Sequence, residues 1–256
     1  MSPQPRPSQP TPLPPPSQPT PQPSQPPQPP QLPSSFPAGP LPSRQEYFAR
    51  WQVLHNAATV DPQAKSNALL RWFLTIVYWL ARPFARAGVS PNVITALGLL
   101  QGAAALGAAQ RWPGLAGGII LASSFTDGID GCVAALTDRS TKVGALFDSI
   151  ADRATEWCFV GCVVMAGAVP WLGVAAGAAI MFFEYTRARL LALGVHDVGL
   201  VTVGERPTRV IACTVGCAGA AFSTAELIPA VSLAAVTATS VVALLQLAVW
   251  ARPRLR

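Results

Sequence analysis

Two aspartate pairs, Asp127/Asp130 and Asp148/Asp152, frame a 26-residue stretch, DGIDGCVAALTDRSTKVGALFDSIAD. Residues three or four apart share one face of a helix, so each pair points one way if its segment is helical. Two adjacent antiparallel helices carrying these pairs aim four carboxylates at one spot. Apolar sequence long enough to cross a bilayer flanks the stretch on both sides. A charged side chain deep in a membrane helix costs roughly 2.5–3.5 kcal/mol, so four cost on the order of 10 kcal/mol unless compensated. Hard oxygen ligands clustered without Cys or His suit magnesium, manganese or calcium as that compensation. Two such cations roughly 3.5–4 Å apart can hold the attacking and leaving oxygens of a phosphoryl displacement. Such a site suits transfer at an anionic phosphoryl centre, with the charge neutralised by metal.

The elements that must position these acids are membrane helices. Half of the 256 residues are hydrophobic and only 12% are charged, which excludes an ordinary soluble domain. The fold class expected is all-α integral membrane, with six transmembrane helices and an N-terminal interfacial amphipathic helix. The spans read as about residues 91–109, 114–136, 143–166, 171–193, 210–223 and 228–250. Ser90 is placed to cap the first and Pro91 to occupy its first turn. Six spans put both chain ends on one side. Arg82, Arg86, Arg139, Lys142, Arg187, Arg189, Arg206, Arg209, Arg252, Arg254 and Arg256 then share a side, with Arg111 opposite. By the positive-inside rule the basic side, and the aspartates with it, faces the cytoplasm and anionic lipid.

Ahead of the spans lie two further regions. Residues 1–43 are dominated by Pro, Gln and Ser, cannot build a core, and are read as a disordered or polyproline tail without signal-peptide pattern. An inert tail is the simpler reading; PxxP elements that bind a partner are the other. Residues 44–87 form a juxtamembrane segment whose apolar part, 67–80, is rich in Trp and Tyr and flanked by arginines. It is read as an amphipathic helix on the membrane surface, with a genuine span as the alternative. His55 and His196 are assigned no chemistry. The five cysteines show no metal-site spacing and are read as small core residues.

The acidic stretch resembles the signature of the CDP-alcohol phosphatidyltransferases, D-x2-D-G-x2-A-R, eight or nine residues, G-x3-D-x3-D. Asp127, Asp130, Gly131, Ala134, Gly144, Asp148 and Asp152 match it at the right spacing, and Ala135 stands where the family has an arginine that the resemblance implies binds the donor's diphosphate. Asp152-Arg153, the segment Tyr185-Thr-Arg187-Ala-Arg189 and the segment Glu205-Arg206-Pro207-Thr-Arg209 are most similar to the actinobacterial phosphatidylinositol phosphate synthase-like subgroup. The resemblance implies Mg2+-dependent transfer of a phosphatidyl group from CDP-diacylglycerol to a polar alcohol, inositol phosphate among the candidates, with release of CMP. It implies two Mg2+ ions, with Mn2+ as a substitute. Asp127, Asp130, Asp148 and Asp152 are the implied metal ligands, and Asp152 doubles as the general base.

Donor contacts are implied for Gly131, Thr141, Gly144, Asn92, Thr95 and, one turn beyond Ala135, Arg139. Asp138 beside it is the alternative partner of that arginine. Both glycines also admit a reading as helix-packing positions. Lys142, Arg153, Arg187 and Arg209 are the implied ligands of an acceptor phosphate, since arginines are permanently charged and bidentate. Ordinary positive-inside charge is the other reading, and it weighs most for Arg187, Arg189 and Arg206. Glu156 continues the Asp148/Asp152 face, and Glu184 is expected to pair with Arg187. Expected partners are CDP-diacylglycerol, a polar alcohol, membrane lipids and a second copy in a homodimer, with no nucleic acid. The expected location is a bacterial plasma membrane. Ala135 motivates an alternative: a catalytically inactive relative, or a membrane protein that binds or transports cations.

Overall fold

The computed structural model describes residues 41–54, 68–195, 202–222 and 226–255; most of the Pro-rich tail, His55 and His196 lie outside the described residues. Eight helices, and no strand, make up the regular structure among them. They are α1 (Arg44–Leu54), α2 (Ala68–Arg86), α3 (Pro91–Ala109), α4 (Pro113–Thr137), α5 (Lys142–Met165), α6 (Pro170–Ala192), α7 (Arg206–Phe222) and α8 (Leu227–Ala251).

Helix boundaries follow local rules. Pro occupies the first turn of α3, α4 and α6, where its missing N–H costs nothing. Ser90 stands at the N-cap of α3 with extended backbone, but its side chain makes no capping bond. A capping box opens α1: Ser43 N donates to Glu46 Oε2 at 2.7 Å, and Glu46 N donates to Ser43 Oγ at 3.3 Å. Gly88, at φ 69°, closes α2, with Val89 N reaching back to Phe84 O at 3.0 Å. The predicted 67–80 helix is longer than expected. It runs through Pro83 to Arg86, because the charged residues 82 and 86 still sit on a helix packed along its apolar face.

Three helices, α3, α4 and α8, are long and apolar enough to cross a membrane. In α5 and α6 the charged side chains that dilute the hydropathy include those of the site described below. Large apolar side chains face outward along the bundle, among them Leu100 on α3, Leu146 and Ile150 on α5, and Val249 on α8. An outward apolar surface of that extent suits lipid rather than water.

Helix α4 is the organising element. It packs between α3, α7 and α2, while α5 lies against α3, α6 and α7, and α8 closes against α6 and α7. Small residues bring the axes together: Ala105, Ala109 and Ala116 are fully buried in the main core with Phe159, Val163, Cys217 and Leu233. At Gly117 an added Cβ would come within 3.1 Å of the Thr214 carbonyl oxygen on α7, so glycine sets how closely α4 approaches it. A second core joins α1 and α2 to α4, through Tyr47, Phe48, Val77, Tyr78, Val133 and Ala135. All five cysteines are free thiols.

Candidate active site

Helices α4 and α5 bring three of the four aspartates to one place. Carboxylate oxygens of Asp127, Asp148 and Asp152 lie within 4.8 Å of one another. Asp130, one turn along α4, lines the same small cavity of about 10 Å³, whose walls include Thr95, Asp127, Asp152, Thr155 and Arg206. Its carboxylate accepts hydrogen bonds from Thr95 Oγ1 at 2.7 Å and Gly131 N at 2.6 Å. Thr95 is thereby placed beside the acids by α3, as the sequence spacing alone does not require.

The start of α7 decides a residue that pattern reading left among ordinary surface charges. The predicted fifth span begins near residue 210, but the helix begins at Arg206. Arg206 and Arg209 therefore share a face. Arg206 Nη1 donates to Asp127 Oδ1 at 2.5 Å and also to Asp152 Oδ1, bridging α4, α5 and α7. Pro207, one residue into the helix, was the available signal for this start.

Beyond the aspartates lies a lattice of arginine–glutamate pairs. Arg209, 3% exposed in its side chain, meets Glu156 at 2.6 Å and Glu184 at 2.8 Å. Arg153 reaches Glu184 at 3.1 Å, Glu156 at 3.4 Å and Asp152 at 3.7 Å. The expected Glu184–Arg187 pair is corrected here: Glu184 faces α5 and α7, while Arg187 makes a bidentate pair with Glu205, at 3.1 and 2.6 Å. Glu205 also accepts from Thr202 N and Oγ1, which fixes the segment entering α7. Gly204 seats that segment on α8, where an added Cβ would fall 2.8 Å from Thr239 O, and its own carbonyl accepts from Arg209 Nη1 at 2.8 Å.

The remaining expected site residues divide. Asn92, Thr141 and Gly144 come together: Thr141 caps α5 by accepting from Gly144 N at 2.9 Å, and a Cβ at Gly144 would lie 3.0 Å from Asn92 Oδ1. Gly131 is exposed, with nothing within 4 Å of an added Cβ. Lys142 is exposed at the start of α5. Arg139 Nη1 donates to Gly88 O at 2.9 Å, at the turn between α2 and α3, and Asp138 pairs with Arg50 at 3.0 Å.

The residues fit a divalent cation. Asp148 Oδ1 is buried without a hydrogen-bond partner, which an oxygen in that position does not tolerate unless something positive meets it. Seven carboxylates (Asp127, Asp130, Asp148, Asp152, Glu156, Glu184, Glu205) stand with four guanidiniums (Arg153, Arg187, Arg206, Arg209), leaving three formal negative charges over. Oxygen-only ligands select hard ions.

Comparison with known proteins identifies a family. The family profile described as CDP-alcohol phosphatidyltransferase matches residues 88–251, from the start of α3 to the end of α8. The chain is 28% identical over 131 residues to an archaetidylinositol phosphate synthase of Pyrococcus horikoshii, covering 50% of this chain and 70% of that one. It is 30% identical over 131 residues to the enzyme of the same name from Aeropyrum pernix, covering 50% and 68%. The phosphatidylinositol phosphate synthase of Mycobacterium tuberculosis, solved with CDP-DAG bound, shares the fold at a TM-score of 0.53 and 22% identity, over 67% of this chain and 91% of that one. The same protein has been solved with manganese and citrate, again at 0.53 and 22%. The chain is a membrane protein and a transferase of phospholipid biosynthesis, and it belongs to the CDP-alcohol phosphatidyltransferase family.

Proposed function

We propose that this enzyme transfers the phosphatidyl group of CDP-diacylglycerol to the hydroxyl of a polar alcohol, releasing CMP, with inositol phosphate as the acceptor. The observation that carries the reading is the convergence of Asp127, Asp148 and Asp152 with the unpartnered Asp148 oxygen among them. The acceptor rests on the names of the relatives and on the arginine-rich face of α5, α6 and α7.

Asp127, Asp130, Asp148 and Asp152 would hold two Mg2+ ions, for which Mn2+ would substitute. When bound, the ions would supply positive charge to neutralise the phosphoryl centre and favour the deprotonated hydroxyl. Asp152 takes the proton of the acceptor hydroxyl as that oxygen forms its bond to phosphorus, and the bond from phosphorus to the CMP oxygen breaks. Gly131, lacking a side chain on an open face of α4, lets the nucleotide reach the backbone; Gly144, Thr141, Asn92 and Thr95 line its other side, and Arg139 lies at the rim. Lys142, Arg153, Arg187 and Arg209 bind the acceptor phosphate. Three of these are already paired with glutamates, which holds their guanidiniums in fixed orientation.

Helices α3 to α8 form six spans, α2 lies at the interface through Trp72 and Trp79, and the acidic end faces the cytoplasm of a bacterial cell. The working unit is a homodimer. Incubation of purified enzyme with radiolabelled CDP-diacylglycerol and a panel of alcohols, with and without Mg2+, tests the reading. Mg2+-dependent CMP release with inositol phosphate supports it. No CMP with any alcohol sinks it and favours a cation-holding relative without catalysis.

A further inference from the structure

Position 135 is where the signature expects arginine and the chain has alanine. Ala135 is 4% exposed and shares a buried cluster with Tyr47 and Phe48 of α1, so the small side chain makes room for that helix. From α1, Arg50 then returns a guanidinium to the same place. Its Nη1 donates to Ala135 O at 2.7 Å and to Asp138 Oδ1 at 3.0 Å.

We infer that Arg50, on a helix that precedes the family domain, supplies the diphosphate of the nucleotide donor with the guanidinium that residue 135 lacks. The inference rests on the transferase reading above. Both bonds from Arg50 use one nitrogen, and the side chain stays 29% exposed, so the fork keeps N–H groups to offer. Asp138, in the left-handed conformation at the end of α4, holds the fork in position. Gly131 is one helical turn from Ala135 on the same face and is open, so a nucleotide lying along α4 there passes the guanidinium. A competing role is purely structural, with Arg50 as a cap on the last carbonyls of α4.

Steady-state kinetics in mixed micelles, with CDP-diacylglycerol and acceptor varied separately, decide between the roles. Arg50→Gln raises the donor KM about tenfold, the cost of one charge-assisted contact, and leaves the acceptor KM unchanged. Arg50→Lys falls between it and the wild type, because the charge remains and the fork is lost. Ala135→Arg in an Arg50→Ala background returns the donor KM toward wild type; if that protein does not fold, the ranking of Gln against Lys decides. A lowered Tm with unchanged donor KM overturns the inference and leaves Arg50 as a cap. Wild-type enzyme that neither binds nor turns over CDP-diacylglycerol overturns the transferase reading and this inference together. Normal wild-type turnover with an indifferent Arg50→Gln overturns this inference alone.

Discussion

Two buried charge clusters share helix α5 one turn apart, and they are built differently. Around Glu156, arginine and glutamate alternate: Arg209 and Arg153 each touch both Glu156 and Glu184. Around Asp152 the acids outnumber their cations: Arg206 bridges Asp127 and Asp152, Arg153 reaches Asp152 at 3.7 Å, and an Asp148 oxygen is left with no hydrogen-bond partner. Matched charges in a low-dielectric interior fix helices against one another, and breaking one pair strands the other charge. Unmatched charges of one sign are held together only by something that arrives from outside. The difference teaches that one cluster carries its own balancing charge, which holds its arginines in place, while the other has acids to spare for a cation.

The comparison breaks most visibly in activity. Asp152→Asn should lower CMP release by about 10²–10⁴-fold, the usual span for a general base, while the protein stays folded. Full activity in the purified variant would remove Asp152 from the chemistry. The opposite pattern is expected one turn away. Arg209→Ala leaves Glu156 buried without its closest partner and should cost about 3–5 kcal/mol of stability, read as a large fall in detergent Tm or loss of folded protein. If Arg209→Ala melts like wild type, the glutamate–arginine lattice does not hold those helices together.

A smaller effect separates the clusters by ligand. Mg2+ or Mn2+ should raise the Tm of wild type by the equivalent of about 2.7 kcal/mol at a hundredfold excess over Kd. Asp148→Asn should lose most of that rise. An equal rise in that variant would place the ion elsewhere. The smallest effect calibrates exposed charge. Hydrogen bonds from Ser43, its backbone N–H first, hold the Glu46 carboxyl below its ordinary value. The folded state therefore favours the carboxylate, and the capping box contributes above the ordinary carboxylate pKa of about 4.3 and is lost as pH falls through the lower folded value. Hydrogen exchange of the α1 amides as a function of pH checks it: protection at the first turn should fade on acidification in wild type and be absent in Glu46→Ala. A first turn equally protected at all pH values would show that the cap contributes nothing.

Much of this was legible along the chain because it is local. Apolar runs with Pro at their starts mark α3, α4 and α6, and three- and four-residue spacings put the aspartates on shared faces. The convergence of those faces followed from two helices joined by a short polar turn. The start of α7 was misjudged by four residues, since Glu205 to Arg209 reads as a charged connection until Arg209 is seen to be buried. The pairing of Glu184 was misassigned because a three-residue spacing on one helix favoured Arg187, whereas α5 and α7 bring Arg153 and Arg209 closer.

By itself the sequence determined helices α2 to α8, their order and the four aspartates, since hydropathy, caps and side-chain periodicity depend on neighbours a turn or so away. Only the tertiary structure decided that Arg206 lies between Asp127 and Asp152, that Glu184 serves α5 and α7, and that Arg50 covers Ala135 from 85 residues away in the chain. Those pairings cross helices, and the energy of a buried ion pair depends on packing distances that no local pattern encodes.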